Sequence, residues 1–211
     1  MKNLYLLNCT GNQLTSLKIE GLSQLNELER YNNKLTTLNL TGLTNLTKLQ
    51  CIDNHINELN LSELTSLQSL LCAGNKLTSL NLNGLALLEY LVCDNNLLTS
   101  LNVSGFTNLR SLSCSSNLLT SFNISNSPNI SYLECGYNRL NSIIKSGFYK
   151  FIRFDCSNNL LSTLDLSDDI YGDNRANYNL DNNQLTSIIL KNGRATGVTF
   201  ANNPKLKYRC R

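Results

Sequence analysis

The sequence LLCAGNKLTSLNLNGL, residues 70–85, contains the pattern that decides the fold. Its cysteine, Cys72, has counterparts 21 residues earlier at Cys51 and 21 residues later at Cys93. The same spacing recurs at Cys9, Cys114, Cys135 and Cys156. Only Arg30 interrupts the series, and the eighth cysteine, Cys210, lies outside it. A fixed period of this length predicts a chain of repeated units that stack on one another.

Aligned on this spacing, eight consecutive units read L-x-x-L-x-C-x-x-N-x-L-T-S-L-N-L-x-G-L-T-N. The asparagine column consists of Asn12, Asn33, Asn54, Asn75, Asn96, Asn117, Asn138 and Asn159. A small insertion follows near residues 168–175, and the pattern resumes from Tyr178. We therefore expect residues 1–211 to form a single repeat domain of about ten units.

The series L-x-x-L-x-C-x-x-N-x-L resembles the hallmark of leucine-rich repeats, with cysteine in place of the third leucine. The short repeat and its T-S-L-N-L-x-G-L-T-N half look like internalin-like and related bacterial surface proteins. This resemblance implies a curved right-handed solenoid with a parallel β-sheet on its concave face. It also implies recognition of a protein or of a cell-surface ligand through that sheet.

The residues favour the same architecture independently of the resemblance. Alternating apolar residues in L-x-C predict a strand with one buried face. The rest of each unit is too short for a full helix with two turns, so we expect extended or 3₁₀ segments on the convex side and few or no α-helices. One unit cannot bury its apolar face alone, whereas stacked units form one continuous core. The repeated asparagine, with donors and acceptors, is expected to satisfy backbone groups of its own unit and of the next one at each turn.

The cysteine column is predicted to be a ladder of reduced, buried thiols, because free cysteine packs as a small hydrophobic residue. In-register side chains on parallel strands point the same way, which fits disulfide geometry poorly. A linear series also lacks the convergence that a zinc site needs. Arg30 occupies the cysteine position of the second unit. We expect its guanidinium either to extend to solvent or to pair with a nearby acid.

The sequence offers little for catalysis, and we predict a protein that is not an enzyme and uses no cofactor. It contains no phosphate-binding loop, dinucleotide fingerprint, nucleophile elbow or zinc-protease motif. The single histidine, His55, is interpreted as a solvated turn residue. The insertion includes Asp168, Asp169 and Asp173, an oxygen-rich group of the kind that binds cations. It lacks EF-hand spacing, so a solvated loop is favoured and cation binding stays open.

Charge and hydropathy limit the classes of partner. The net charge of +3 is mild, and acids outnumber bases at the outward strand positions, so we expect no nucleic-acid partner. No apolar run is long enough to span a membrane, so no membrane insertion is expected. The start, MKNLYLLNCTGN, does not read as a signal peptide. The expected location is extracellular or the cell surface if the chain is a segment of a longer secreted protein, and cytoplasmic otherwise.

Apolar residues gather at outward strand positions in units two to five, where the core does not explain them. This pattern predicts a partner-binding patch with a polar rim, because contiguous exposed apolar surface often marks an interaction site. The candidate residues are Tyr31, Ile52, Leu71, Tyr90, Val92, Glu29 and Asp94. The function we predict is a non-enzymatic recognition scaffold. The alternative is a structural or adhesive segment of a larger cell-surface protein without a discrete pocket, and the oligomeric state is left open.

Overall fold

The computed structural model describes residues 3–146, 149–167, 176–189 and 197–207. These residues contain 14 β-strands of three residues each and no α-helix. They divide into two compact units, which we call unit 1 (residues 1–98) and unit 2 (residues 99–211). Each unit is a stack of parallel-strand repeats, which confirms the predicted solenoid. The expectation of a single domain over 1–211 stays a prediction, and the insertion at 168–175, its three aspartates and Cys210 lie outside the described residues.

Unit 1 contains one parallel sheet in which each strand pairs with the next strand in the sequence. Its strands are β1 (Leu6–Asn8), β2 (Glu27–Glu29), β3 (Lys48–Gln50), β4 (Ser69–Leu71) and β5 (Tyr90–Val92). The pairing is in register on the repeat, so the central leucine of each strand faces the central leucine of its neighbour, as Leu49 does Leu70. The central residue points into the core and its two neighbours point outward, because side chains alternate along a strand.

Unit 2 repeats this arrangement and adds a second set of strands. In chain order its strands are β6 (Ser111–Ser113), β7 (Ser121–Asn123), β8 (Tyr132–Glu134), β9 (Ser142–Ile144), β10 (Arg153–Asp155), β11 (Thr163–Asp165), β12 (Asn177–Asn179), β13 (Ser187–Ile189) and β14 (Gly197–Thr199). The even-numbered strands form one parallel sheet in the order β6-β8-β10-β12-β14. Strands β7 and β9 form a separate two-stranded sheet, and β11 and β13 form another.

The additional strands of unit 2 lie where the sequence predicted extended or 3₁₀ segments. Isoleucine or phenylalanine replaces leucine in three of them, at Phe122 in β7, Ile143 in β9 and Ile188 in β13. β-branched and aromatic side chains favour the pleated conformation over irregular backbone. The prediction of extended segments is therefore confirmed here. The structure adds that these segments pair into sheets.

The asparagine ladder ties each turn to its neighbours. In the fourth repeat, Nδ2 of Asn75 donates to the carbonyl oxygens of Cys51 (2.9 Å), Cys72 (3.1 Å) and Ala73 (3.1 Å). Its Oδ1 accepts a hydrogen bond from the backbone N–H of Ile56 at 3.0 Å. One buried side chain thus satisfies backbone groups of its own repeat, as the sequence predicted, and of the preceding repeat rather than the next one. Backbone groups at these turns would otherwise lie in the core without partners.

The residue before each ladder asparagine turns the chain through the left-handed region. Glycine adopts this conformation without strain, and asparagine and aspartate tolerate it better than other residues with a side chain. In unit 1 the residues concerned are Gly11 (φ 67°), Asn32 (φ 55°), Asp53 (φ 51°), Gly74 (φ 63°) and Asn95 (φ 51°). The turn directs the following asparagine side chain back under the strand.

The cysteines fill the core beneath the sheet and form no disulfide among the described residues. Six of them are fully buried free thiols, namely Cys51, Cys72, Cys93, Cys114, Cys135 and Cys156, whereas Cys9 is half-buried. Burial raises the pKa of Cys51 to about 12 and raises the pKa of Cys72 well above its usual value. The ladder is therefore a packing device made of neutral thiols, which confirms the prediction from spacing.

Arg30 is the exception in this core, and its placement contradicts both expectations from the sequence. Its side chain is completely buried, so the guanidinium does not extend to solvent. Its Nε, Nη1 and Nη2 atoms have no hydrogen-bond partner among the described residues. Burial lowers the pKa of Arg30 to about 10, while Cys9 and Cys51 act in the opposite direction. A buried cation without a paired acid is a source of instability.

Replacement of Asn75 by alanine tests the asparagine ladder. The change leaves three carbonyl oxygens and one N–H of the core without their partner, so we expect the free energy of unfolding to fall by about 3 kcal/mol. The exposed Asn81, whose Oδ1 accepts one hydrogen bond from the N–H of Asn83 at 3.0 Å, supplies the matched control. Asn81→Ala should cost less than about 1 kcal/mol. Equal losses for the two variants in urea denaturation would contradict the proposed role of the ladder.

Replacement of Arg30 by cysteine tests the cost of the buried cation. The change restores the ladder residue and removes the charge, so we expect the free energy of unfolding to rise by about 2 kcal/mol. Lys34→Met removes an exposed positive charge from the same repeat and should leave stability nearly unchanged. A lower melting temperature for Arg30→Cys than for the parent would show that the guanidinium has a stabilising partner.

Candidate functional site

The outward residues of the unit 1 sheet form a continuous surface, which we call the strand face. It comprises the first and third residues of each strand and the residue after each cysteine-position residue. Its members in strand order are Leu6, Asn8, Thr10, Glu27, Glu29, Tyr31, Lys48, Gln50, Ile52, Ser69, Leu71, Ala73, Tyr90, Val92 and Asp94. All seven candidate residues predicted from the sequence belong to this surface.

The β1–β3 part of the strand face is polar and is organised around Glu29. Its carboxylate accepts hydrogen bonds from Nδ2 of Asn8 at 2.8 Å and from Nζ of Lys48 at 2.8 Å. Nε2 of Gln50 donates to the same carboxylate at 3.5 Å, and Lys48 also lies 3.5 Å from Glu27. The hydrogen bond to Glu29 is the main cause of a raised pKa for Lys48. Glu29 is thus engaged within the protein.

The β4–β5 part of the strand face is mostly apolar. Leu71 and Val92 are paired in register on adjacent strands, and both are half-buried. Tyr90, at the start of β5, is 46% exposed. Ala73 lies two residues beyond Leu71 on the same face and is also half-buried. Partial mutual shielding reduces the apolar area that meets water, and Tyr90 is the most exposed member of this group.

The remaining candidates lie at different distances from that group. Ile52 follows the cysteine of the third repeat and is half-buried, and Asp94 occupies the equivalent position of the fifth repeat. Tyr31, which is 37% exposed, belongs to the second repeat, three strands from Tyr90. Three strand spacings separate the two tyrosines by on the order of 14 Å across the sheet. Tyr31 also lies four residues beyond Glu27, the residue of β2 that corresponds in register to Tyr90, so the two tyrosines are separate features of one surface. Whether these residues bind a partner stays a prediction.

Unit 2 carries a second group of outward residues, which the pattern of apolar residues in the sequence did not indicate. Nε of Arg153 in β10 lies 2.6 Å from Oε1 of Glu134 in β8. Tyr132, which pairs in register with Arg153, is 44% exposed. Nδ2 of Asn179 donates to Oδ2 of Asp155 at 3.0 Å. The repeat alignment contained the signal for this group, because these residues occupy outward positions in consecutive units.

The described residues contain no candidate metal centre. Nowhere among them do three or more His, Cys, Asp or Glu side chains converge to bind a metal ion. The exposed His55 has its Nδ1 2.9 Å from the carbonyl oxygen of Asn54, which fits a turn residue. In the same part of the chain, no helix has the length and apolar character needed to cross a bilayer.

Comparison of sequences adds no relative, because no family model and no curated protein matches this chain. Comparison of structures finds similar folds. The functional domain of InlJ from Listeria monocytogenes, which includes a cysteine ladder, has a TM-score of 0.67 at 24% identity, covering 99% of this chain and 56% of that one. Internalin C2 from Listeria monocytogenes has a TM-score of 0.60 at 22% identity, covering 89% and 80% of the two chains.

A third similar structure is a chain of the LRIM1/APL1C complex, with a TM-score of 0.66 at 17% identity. It covers 88% of this chain and 41% of the other. These similarities confirm the predicted leucine-rich-repeat solenoid fold. The chain spans about half the length of the InlJ domain that it matches.

Proposed function

We propose that this chain is a non-enzymatic scaffold that recognises a protein partner through the strand face of unit 1. The observation that carries the proposal is the group of apolar side chains at outward positions of β4 and β5, with Tyr90 the most exposed. Leucine and valine at these positions contribute nothing to the core, which lies on the other side of the sheet. A contiguous apolar group with polar neighbours is typical of an interaction site.

Tyr90 is the natural anchor for a partner. Tyrosine is enriched among residues that dominate binding energy, because it buries a large area and keeps a polar hydroxyl. The half-buried Leu71 and Val92 provide an apolar floor beside it. The polar network around Glu29 borders this floor on the β3 side. Its charges are already paired within the protein, so a partner that covers them at the rim of the interface loses little free energy to their desolvation.

The similar structures support a role in recognition without identifying the partner. One of them is a chain of a protein complex, LRIM1/APL1C. The similarity to InlJ covers 56% of that chain, so no property of the whole InlJ domain is transferred to this chain. The proposed partner is a protein, either soluble or at a cell surface, and the chemistry of the strand face carries the proposal.

The buried thiols support the non-enzymatic part of the proposal. A catalytic cysteine that turns over a substrate needs a lowered pKa and access to that substrate. Burial instead raises the pKa of Cys51, Cys93 and Cys135, and all three side chains are fully covered. These three cysteines are therefore part of the packing.

The second candidate function is a structural or adhesive segment without a discrete binding pocket. It is favoured by the half-buried state of Ile52, Leu71 and Val92. Their presence at outward positions follows from strand composition alone, since β-branched and large apolar residues favour sheets. The two functions differ in their behaviour in solution. Recognition requires a saturable partner, whereas an adhesive segment associates with copies of itself.

The double variant Tyr90→Ala, Leu71→Ser tests the proposed surface. A partner captured with the parent chain is measured by isothermal calorimetry, and the variant should bind at least about tenfold more weakly because an anchor and part of its floor are lost. The matched control is Tyr137→Ala, Leu160→Ser, which changes exposed residues of unit 2 that are outside the strand face. Circular dichroism verifies folding of both variants.

Three outcomes decide between the functions. Selective loss of binding in the strand-face variant supports recognition through this surface. Unchanged binding in that variant would make the apolar group a by-product of sheet composition. Concentration-dependent self-association of the parent that disappears in the strand-face variant, with no saturable partner, would favour the adhesive segment.

A further inference from the structure

Arg30 lies between two thiols in the core of unit 1. Asn8, Glu29 and Gln50 are paired in register across β1, β2 and β3. The next residue of each repeat is Cys9, Arg30 and Cys51, respectively. Backbone hydrogen bonds continue the alignment, since the N–H of Cys9 donates to Glu29 at 2.9 Å and that of Arg30 donates to Gln50 at 2.9 Å. The guanidinium therefore has a thiol-bearing repeat on either side.

The two neighbouring thiols differ in access to solvent. Cys51 is fully buried, and burial raises its pKa to about 12. Cys9 is half-buried, and its Sγ lies 3.8 Å from the carbonyl oxygen of Glu29. Burial also raises the pKa of Cys9, and the charge of Arg30 acts against that rise. Of the two thiols, Cys9 is the one that both meets solvent and lies beside the unpaired guanidinium.

We propose that Cys9 is a site of oxidation by hydroperoxides and that Arg30 holds the resulting sulfinate as an ion pair. A sulfinate is an anion at neutral pH, and its two oxygens accept hydrogen bonds from the planar guanidinium fork. The modification thus supplies the buried cation with the counter-charge that it lacks among the described residues. This site is independent of the strand face and of the partner proposed above.

The reaction consumes two molecules of hydroperoxide. In the first step the Cys9 sulfur attacks the terminal peroxide oxygen, the O–O and S–H bonds break, and the thiol proton leaves with the other oxygen as water from hydrogen peroxide or as an alcohol from an organic hydroperoxide, which gives a sulfenic acid. In the second step the sulfenic acid releases its proton to solvent and the sulfenate sulfur attacks another peroxide. The O–O bond breaks, the leaving oxygen takes the remaining proton of the product as water or alcohol, and a sulfinate remains. Sulfur loses two electrons in each step, and each peroxide gains two.

The consequence for stability distinguishes this site from ordinary oxidative damage. Adding polar oxygens to a packed cysteine normally destabilises a core. Here the product anion replaces an unpaired buried cation by a hydrogen-bonded pair, so oxidation of Cys9 should raise the melting temperature. Without the guanidinium, the same oxidation should lower it, because the sulfinate then has no cationic partner.

The experiment compares the parent with Arg30→Met and with Lys34→Met, the latter being the control that removes an exposed charge. Each folded chain is treated with hydrogen peroxide, and mass spectrometry of peptides measures sulfinate at every cysteine. Among the ladder cysteines, Cys9 should oxidise first in the parent and in Lys34→Met. In Arg30→Met the rate at Cys9 should fall by about threefold or more, because loss of the nearby positive charge disfavours the thiolate.

Melting temperatures provide the second measurement. Oxidised parent should melt at least about 3 °C above reduced parent, and oxidised Arg30→Met should melt below its reduced form. Cys9→Asp places a carboxylate at the same position without any oxidation and should be stabilising with Arg30 present and destabilising in Arg30→Met. First oxidation at another ladder cysteine, an equal rate at Cys9 in all three chains, or a fall in melting temperature in both backgrounds would overturn the proposal.

Discussion

Hydrogen bonding of the turns by a buried asparagine is the constraint on which the structure depends. Asn54 shows it plainly, because its Nδ2 donates to the carbonyl oxygens of Arg30 and Cys51 at 3.0 and 3.2 Å. Its Oδ1 accepts the N–H of Leu35 at 3.1 Å. The side chain has to reach two repeats at once, so neighbouring repeats must keep the same register at the strand and at the turn. Strand pairing and the strict recurrence of the core residues both follow from this requirement.

A uniform register also determines what the core accepts. Each cysteine position is enclosed by the same backbone on both sides, so a small neutral side chain suits every repeat. Arg30 breaks that uniformity, and yet its carbonyl oxygen still accepts from Asn54 in the ordinary way. The backbone of a repeat is therefore maintained even where a side chain does not fit. The energetic cost lies in the buried guanidinium without a partner. Local conflicts of this kind are expected at functional sites.

The sequence predicted the placement of the outward residues better than it predicted their interactions. Strand alternation put Glu29, Leu71 and Tyr90 on one face, as the structure places them. It did not show that the Glu29 carboxylate accepts hydrogen bonds from Asn8 and Lys48, or that Leu71 is half-buried beside Val92. Such contacts depend on side-chain conformations and on neighbouring strands, which a periodic pattern does not contain.

The sequence by itself determined the repeat length, the leucine-rich-repeat fold, the inward asparagine and cysteine columns and the identity of the outward residues. These follow from periodicity, because a 21-residue spacing leaves one in-register way to stack the units and bury their apolar residues. Only the tertiary structure decided that Arg30 is enclosed without an acid and that unit 2 has additional paired strands. Both depend on which groups meet in space across repeats, and residues in contact there are far apart in the chain.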